Sequence, residues 1–232
     1  MDWRSVLAAG ADLGWGGACA GCGRGGPVLC PGCRGSLQAL LPFLVDTRAG
    51  VPSTVARGTY DGSLRQVLLA CKERQGLGLV PALAELAVGS LALALQHSWV
   101  GGPVRLVPIP SSRRTLAERG FDLTGQLAAR SARRLRALGM QVRSAGLLTV
   151  AGPARDQAGL GVAERLQNRR FGFRVRPDPS QQVVLVDDII TTGATLEEAG
   201  SALTAAGHHV LGAAVVAATP RTLGRGSPLE GL

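Results

Sequence analysis

Two adjacent carboxylates, Asp187 and Asp188, follow the aliphatic run Val183–Val186, which predicts a parallel strand that is buried on both faces. A short stretch of small and hydroxyl-bearing residues comes after the acids: Thr191, Thr192, Gly193, Ala194 and Thr195. Small side chains let backbone N–H groups converge, and the dipole of the helix predicted to follow favours negative charge. The pattern therefore indicates a phosphate site at the end of a strand.

The two carboxylates need a ligand other than that phosphate, because like charges repel. Hydroxyl groups or a cation can pair with buried carboxylates. A phosphate pocket beside this acidic pair is therefore the combination expected for binding a ribose 5-phosphate. The alternatives are direct magnesium binding by Asp187 and Asp188, or a capped helix beside solvated acids. We expect the helix to begin with a capping box formed by Thr195 and Glu198 and to end near Gly207.

A second group of residues that could do chemistry lies near the N-terminus, with the spacing Cys19-x2-Cys22-x7-Cys30-x2-Cys33. Two CxxC knuckles close to glycines permit tight turns, and four thiolates around one ion are typical of a closed structural zinc site. We expect the knuckles to be adjacent hairpin tips. An iron–sulfur cluster is the alternative, and a reducing compartment disfavours disulfides. Cys71 lies outside the spacing and is predicted to be a buried core residue.

The chain of 232 residues is 46% hydrophobic, enough for one sizeable core with a small appendage, and it has neither a collagen repeat nor a disordered composition. Its net charge is +9, and Lys72 is its only lysine. The segment 105–176 alone carries +11, from 15 arginines and four acidic residues. We expect this charge to serve a small polyphosphate first and DNA second.

The arginines of that segment divide into two groups. One group lies on a helix predicted over residues 123–138, whose inner side is Leu127, Leu135 and Leu138, and these arginines are expected to face water: Arg130, Arg133, Arg134 and Arg136. The others are better ligand candidates because they lie in stretches rich in Ser and Gly: Arg113, Arg114, Arg119, Arg155, Arg165, Arg169 and Arg170.

The longest apolar run, residues 77–95, contains Pro81, Glu85 and Gly89 and is therefore predicted to be a buried helix rather than a membrane span. Its inner stripe is expected to be Leu83, Leu86, Ser90, Leu93 and Ala94. No signal-peptide pattern is visible at the N-terminus, which favours a cytoplasmic protein.

The stretch 183–195 resembles the phosphoribosyl pyrophosphate (PRPP) motif of type I phosphoribosyltransferases. Together with other segments it resembles the ComF (ComFC/GntX-like) family, in which a four-cysteine element precedes a phosphoribosyltransferase-like domain. The further segments are the cysteine pairs, GTYDGSLRQVLLACKE at 58–73, VPIPSSRRTLAERGF at 107–121 and RDQAGLGVAERLQN at 155–168.

The resemblance implies roles for individual residues. Asp187 and Asp188 would take the ribose 2′- and 3′-hydroxyls, and residues 191–195 would cradle the 5-phosphate. The pyrophosphate, bound with Mg²⁺, would lie at the loop after a strand over 105–109, and its contacts would be Ser111, Ser112, Arg113 and Lys72. Residues 155–168 resemble a loop that closes over PRPP. They lack the family's Thr, since Ala154 stands in its place, and no catalytic residue is identified.

The resemblance also implies the architecture: an α/β fold of the type I phosphoribosyltransferase class, with a mostly parallel sheet and flanking helices. Residues 1–45 would form the four-cysteine element, 50–220 the phosphoribosyltransferase-like domain and 221–232 a flexible tail. The implied function is PRPP binding linked to DNA uptake in natural competence, with single-stranded DNA and competence proteins as partners. The alternative is an active phosphoribosyltransferase with a nucleobase or amine acceptor, so enzyme status stays open.

Overall fold

The computed structural model describes residues 17–73, 76–99, 101–150 and 172–220, except for the side chains of Arg113 and Arg114. The closing loop predicted at 155–168 and the tail predicted at 221–232 lie outside the described residues.

A mostly parallel sheet forms the centre of the molecule. Its strands are β1 (Phe43–Val45), β2 (Thr54–Thr59), β3 (Val104–Pro108), β4 (Val142–Ser144), β7 (Gln182–Ile190) and β8 (His209–Ala218). Their spatial order is β1-β2-β8-β7-β3-β4, and only the β1–β2 pairing is antiparallel. Two short strands, β5 (Leu148–Val150) and β6 (Phe173–Val175), form a separate antiparallel ribbon.

Helices cover both faces of the sheet. They are α1 (Pro31–Gln38), α2 (Gly62–Glu73), α3 (Val80–Ser98, after a 3-10 turn at Leu77–Leu79), α4 (Arg113–Arg119), α5 (Leu123–Ala137) and α6 (Ala194–Ala205). One core joins α2, α3, α5 and the cysteine segment to one face of the sheet. A second core joins α6 and the β5–β6 ribbon to the other face. Because both faces of β7 and β8 are covered, their sequences are nearly continuous apolar runs.

The apolar run at 77–95 forms α3, and much of its length packs in the first core. Ser90 is fully buried and donates its hydroxyl to the carbonyl of Val215 at 2.8 Å, so the polar residue on this stripe is satisfied. Leu83 and Leu91 are fully buried, whereas Leu93 is only partly covered. Among the described residues, one helical stretch, Leu77–Ser98, is long and apolar enough to cross a membrane, and half of its apolar window is buried in the fold. This burial is that of a core helix.

The helix α5 begins at Leu123, as predicted, and buries Leu127 and Leu135. The prediction for Leu138 was wrong, because the helix ends at Ala137 and the Leu138 side chain is 62% exposed. The arginines of this helix lie on its outer side, with Arg133, Arg134 and Arg136 exposed and Arg130 half-buried.

The cysteine segment is attached to the sheet at two places. Its strand β1 pairs with β2, and the Arg57 guanidinium of β2 donates to the carbonyl of Gln38 at the end of α1, at 2.8 Å. The side chains of Leu29 and Leu37 lie in the same core as α2 and α3. The domain boundary near residue 45 stays a prediction, and β1 on its N-terminal side is a strand of the central sheet.

Candidate functional site

The two acids of the motif lie inside β7 rather than after it. The strand extends to Ile190 because its last residues continue the parallel ladder with β8, where Asp187 pairs with Val215 and Ile190 with Ala218. The sequence-based strand end at Val186 was therefore too early. Consecutive strand residues point to opposite faces, so Asp187 and Asp188 leave the sheet on different sides at its carboxyl edge.

Asp188 is buried and forms an ion pair with the only lysine of the chain. The Lys72 ammonium lies 2.8 Å from the Asp188 carboxylate, and the two side chains are 19% and 11% exposed. Lys72 is in the last turn of α2, where a cation also interacts favourably with the helix dipole. The fold thus brings Lys72 to the acidic pair from a position more than a hundred residues away in sequence.

Among the residues that the structure describes, no cation is in direct contact with Asp187. Burial of its carboxyl and the nearby charge of Asp188 raise the pKa of Asp187 to about 8, although a hydrogen bond from the Asp188 amide and the charge of Lys72 oppose the increase. That hydrogen bond, from the Asp188 N–H to Asp187 Oδ1, is 2.8 Å long. Near neutral pH the Asp187 carboxyl therefore holds a proton that a ligand could displace.

The turn after β7 leads directly into α6. Gly193 is the N-cap of this helix, with a left-handed backbone (φ 78°), and a Cβ at this position would lie 2.9 Å from Val51 Cγ2. The predicted capping box was wrong, because Thr195 is already inside the helix and no side chain caps it. The first backbone N–H that bonds within the helix is that of Glu197, and its acceptor is the Gly193 carbonyl. The N–H groups of the residues before Glu197 therefore have no acceptor within the helix.

The remaining residues of the predicted phosphate loop surround this helix start. Thr191, Thr192, Ala194 and Thr195 are exposed, and the Ala194 N–H makes a long contact of 3.4 Å with Thr192 Oγ1. The positive end of the α6 dipole points into the same space. An exposed helix N-terminus with small flanking residues is suited to a phosphate group.

The loop after β3 lies beside the acidic pair, because β3 and β7 are neighbours and the Ile109 N–H bonds to the Val186 carbonyl at 2.9 Å. The loop ends at Ser112, which caps α4 by accepting a hydrogen bond from the Thr115 N–H at 3.0 Å. Ser111 is half-buried at the start of this turn. The carboxyl ends of β3 and β7 thus bring Ser111 and Ser112 to the same edge as Asp187 and Asp188.

Sequence reasoning missed the segment between β1 and β2, which lies along α6. Arg48 forms an ion pair with Glu197 in the first turn of the helix. Val51 packs against Gly193, and Pro52 lies so close to Gly200 that a Cβ there would be 2.8 Å from Pro52 Cγ. Thr219, at the end of β8, donates its N–H to the Ile190 carbonyl at 3.0 Å and so holds the other side of the turn. None of these contacts has a local sequence signal, since all of them depend on long-range packing.

The four cysteines near the N-terminus converge on one point. All four sulfur atoms lie within 4.8 Å of one another, and the Cys22 and Cys30 sulfurs are 3.9 Å apart. A tetrahedral zinc site with Zn–S bonds of about 2.3 Å has sulfur–sulfur edges of about 3.8 Å. The first knuckle is a hairpin tip, with Ala18 bridged to Gly25. The second is not, because Cys30 is the N-cap of α1, which places Cys33 in its first turn.

The environment of the cysteines also fits a cation. Burial raises the pKa of Cys19, but backbone N–H groups of Cys30, Cys22 and Gly21 outweigh it and lower the value to about 6. Hydrogen bonding from Arg24 lowers the pKa of Cys22. Burial and the neighbouring thiols raise the pKa of Cys33 to about 12, so this sulfur needs a metal to become a thiolate near neutral pH. The donor set is thus four sulfurs without an open position.

Cys71 does not belong to this cluster. It is fully buried in α2, its thiol contacts the Gly76 carbonyl at 3.6 Å, and burial raises its pKa to about 12. The structure thus places Cys71 in the core, as the sequence predicted.

A family model for the phosphoribosyl transferase domain matches residues 162–227 of the chain. The match includes β7, the turn, α6 and β8. No curated protein matches the chain significantly. The matched region, the mostly parallel sheet with flanking helices and the four-cysteine cluster confirm the predicted fold class, and a type I phosphoribosyltransferase-like domain is present. Such a domain implies a ribose phosphate ligand.

Proposed function

We propose that the protein binds PRPP at the carboxyl edge of its sheet. The ribose hydroxyls would meet Asp187 and Asp188, and the 5-phosphate would bind at residues 191–195. The observation that carries the proposal is that β7 leads directly, through the left-handed Gly193, into α6. The two acids and the helix N-terminus therefore lie together at the carboxyl edge of the sheet, within the matched region. An acidic pair binds hydroxyls and a helix N-terminus binds phosphate, so the two halves of a ribose 5-phosphate each have a complementary partner.

The pyrophosphate of PRPP would lie between Lys72 and the loop that contains Ser111, Ser112 and Arg113. Support comes from the adjacency of β3 and β7 and from the position of the Lys72 ammonium, which already touches Asp188. Mg²⁺ would arrive with the substrate and neutralise its pyrophosphate oxygens, and we assign it no protein ligand. In this arrangement the Lys72 ammonium can hold Asp188 in position or turn to the pyrophosphate, since a lysine side chain is long and mobile.

We further propose that Cys19, Cys22, Cys30 and Cys33 hold a structural Zn²⁺. The sulfur distances and the absence of an open coordination position support a closed site rather than a catalytic one. The zinc would fix the two knuckles against α2. A Cβ at Gly21, in the first knuckle, would lie 2.8 Å from Cys33 Sγ in the second knuckle and 3.6 Å from Ser63 Cβ in α2, so these segments pack closely together.

The combination of such a cysteine cluster with a phosphoribosyltransferase-like domain supports placing the chain in the ComF family. That placement would make it a cytoplasmic protein that acts in DNA uptake during natural competence, with single-stranded DNA and DNA-processing proteins as partners. This part of the proposal rests on the sequence resemblance described above and on the order of the two elements along the chain.

The alternative is an active phosphoribosyltransferase. An acceptor nitrogen of a nucleobase or amine would attack the anomeric carbon, the bond from that carbon to the pyrophosphate oxygen would break, and pyrophosphate would leave with its charge stabilised by Lys72 and the β3 loop. This alternative is supported by the position of Lys72 and the β3 loop at the same edge of the sheet as the acidic pair.

Isothermal titration with PRPP and Mg²⁺ tests the central proposal. We expect the wild type to bind, Asp187→Asn/Asp188→Asn to bind at least about tenfold more weakly because the hydroxyl acceptors lose charge, and Asp46→Asn, an exposed acid, to bind as the wild type does. No binding by the wild type would overturn the proposal. Release of pyrophosphate in the presence of an acceptor would favour the active enzyme over binding alone.

A further inference from the structure

The helix α2 bridges the carboxyl ends of two strands. It follows β2 at that edge of the sheet, where the Tyr60 N–H bonds at 2.7 Å to the carbonyl of Ala218, the last residue of β8. Its last turn lies at the same edge, because the Lys72 ammonium is 2.8 Å from the Asp188 carboxylate of β7. In the sheet, β8 lies between β2 and β7, so the two ends of the helix are attached to strands that are not neighbours. The position of Lys72 therefore depends on how α2 is held.

The first cysteine knuckle lies along the outer side of this helix. A Cβ at Gly21 would be 3.6 Å from Ser63 Cβ, in the first turn of α2. Further along, residues 18–23 face Glu73 across a groove of about 480 Å³. Glu73 is the last residue of α2 and directly follows Lys72. The knuckle thus extends along α2 from its first turn to its last.

The cysteine segment also packs against the buried side of α2. Cys19, Leu29 and Leu37 are at most 4% exposed. They belong to the same core as Leu68 and Cys71 of this helix, and Cys71 is the residue before the lysine. A helix of 12 residues is only marginally stable by itself, so α2 depends on such packing. Loss of the cysteine segment from the core would therefore loosen the helix end that carries the lysine.

The cysteine segment has little regular structure to hold itself together. In residues 17–42 the structure describes one bridge, between Ala18 and Gly25, and the eight-residue helix α1. Each knuckle supplies two of the four sulfurs, so a bound Zn²⁺ would link one knuckle to the other. Elements of this size commonly fold only when their metal is bound. We expect that emptying the site withdraws Leu29 and Leu37 from the core that they share with α2.

We propose that the four-cysteine element positions Lys72 for the ligand, so that the PRPP affinity depends on whether the four sulfurs hold their metal. With the metal bound, the end of α2 keeps the ammonium at Asp188 and beside the proposed pyrophosphate site. Without it, the helix end moves and the site loses this cation. A hydrogen bond between charged groups changes affinity by about tenfold or more. The inference rests on the PRPP site proposed above and makes that site dependent on a second one.

Isothermal titration with PRPP and Mg²⁺ tests this inference on zinc-loaded, metal-free and zinc-reloaded preparations of the full chain. The metal-free protein is prepared with a chelator that is dialysed away before Mg²⁺ is added. We expect it to bind PRPP at least about tenfold more weakly than the zinc-loaded protein, and reloading to restore the affinity. In Lys72→Met the same removal of zinc should change the PRPP affinity by less than about twofold, because the lysine through which the element acts is absent.

A variant that keeps all four cysteines separates packing from metal binding. Leu37→Ala removes a buried side chain of α1 from the core that contains α2. We expect it to contain as much zinc as the wild type and to bind PRPP at least about threefold more weakly. The matched control is Leu135→Ala, which truncates a similarly buried leucine near the amino edge of the sheet, where its carbonyl accepts from the Met140 N–H. We expect this control to lower Tm as Leu37→Ala does and to keep the wild-type PRPP affinity.

Hydrogen exchange tests the support of α2 without PRPP. Backbone amides of residues 67–72 should exchange at least about tenfold faster in the metal-free protein, whereas those of β8 should keep their protection. If the wild type does not bind PRPP, the proposed function fails, and this measurement still decides whether the cysteine element holds α2 in place.

Each of the following results would overturn the inference. One is a wild type that takes up no zinc. Another is the same loss of PRPP affinity on zinc removal in the wild type and in Lys72→Met, which would assign the element to overall stability alone. The others are an unchanged PRPP affinity in Leu37→Ala and an unchanged exchange of residues 67–72 after zinc removal.

Discussion

Replacing Asp187 by Asn should make the free protein more stable, and increasingly so as the pH rises. Burial and the charge of Asp188 raise the pKa of Asp187 to about 8. An acid whose pKa is higher in the folded than in the unfolded state stabilises the fold while it stays protonated. That stabilisation is fully present below the unfolded pKa near 4 and is lost as the pH rises to the folded pKa. The amide of the Asp187→Asn variant would stay neutral at every pH.

The size of the effect follows from the uptake of one proton. Between pH 5 and 7 the free energy of unfolding of the wild type should fall by about 1.4 kcal/mol per pH unit relative to that of Asp187→Asn. The total fall over this range is about 2.7 kcal/mol. For a protein of this length, 1 kcal/mol corresponds to about 2–4 °C in Tm, so the gap between the two Tm values should widen by about 5–11 °C. Above pH 8 the gap should become constant. The Asp188 N–H keeps an oxygen acceptor in the variant.

Thermal unfolding followed by circular dichroism at pH 5, 6, 7, 8 and 9 measures this gap. Asp46→Asn serves as the control for the loss of one negative charge, because Asp46 is exposed. A constant difference in Tm between Asp187→Asn and the wild type from pH 5 to 8 would refute the reasoning. So would a gap that narrows with rising pH, since that requires the folded state to favour the carboxylate.

Three further predictions concern the same edge and the cysteines. Lys72→Met should destabilise the protein by about 3 kcal/mol in chemical denaturation because it leaves Asp188 buried and unpaired, and adding Asp188→Asn should recover most of that loss; no recovery would contradict the ion pair. Gly193→Ala should lower the free energy of unfolding by at least about 1–2 kcal/mol, because alanine is strained in a left-handed backbone and its Cβ would clash with Val51. The variant should also bind PRPP more weakly. An unchanged calorimetric Tm and an unchanged PRPP affinity would contradict the turn geometry. Purified protein should contain about one zinc per chain by elemental analysis, and Cys33→Ser should abolish it, whereas full zinc in that variant would exclude the four-sulfur site.

The sequence predicted well what depends on local pattern. A run of aliphatic residues located β7, and the cysteine spacing located the cluster of sulfurs. The end of β7 was misplaced because a carboxylate was taken to terminate a buried strand, whereas the ladder with β8 continues past Asp187 to Ile190. The capping box was misplaced because a left-handed Gly193 can start a helix without any side-chain acceptor.

Contacts between distant segments could not be read from the sequence. The pairing of Lys72 with Asp188 requires α2 to end at the carboxyl edge of β7, and the contact of Val51 with Gly193 requires the β1–β2 segment to cross the start of α6. Both depend on the strand order, in which β8 lies between β2 and β7. That order is a property of the whole sheet.

The positive charge of the chain shows most clearly how structure changes an interpretation. Along the sequence, residues 105–176 form one basic segment beside the predicted pyrophosphate loop. In the fold, α5 runs back along the sheet and carries its arginines to the edge opposite Asp187 and Asp188. Surface charges more than about 10 Å apart are largely screened at physiological salt. The four arginines of α5 therefore contribute little to holding a polyphosphate at the carboxyl edge. Lys72, a single cation in contact with Asp188, has more influence there.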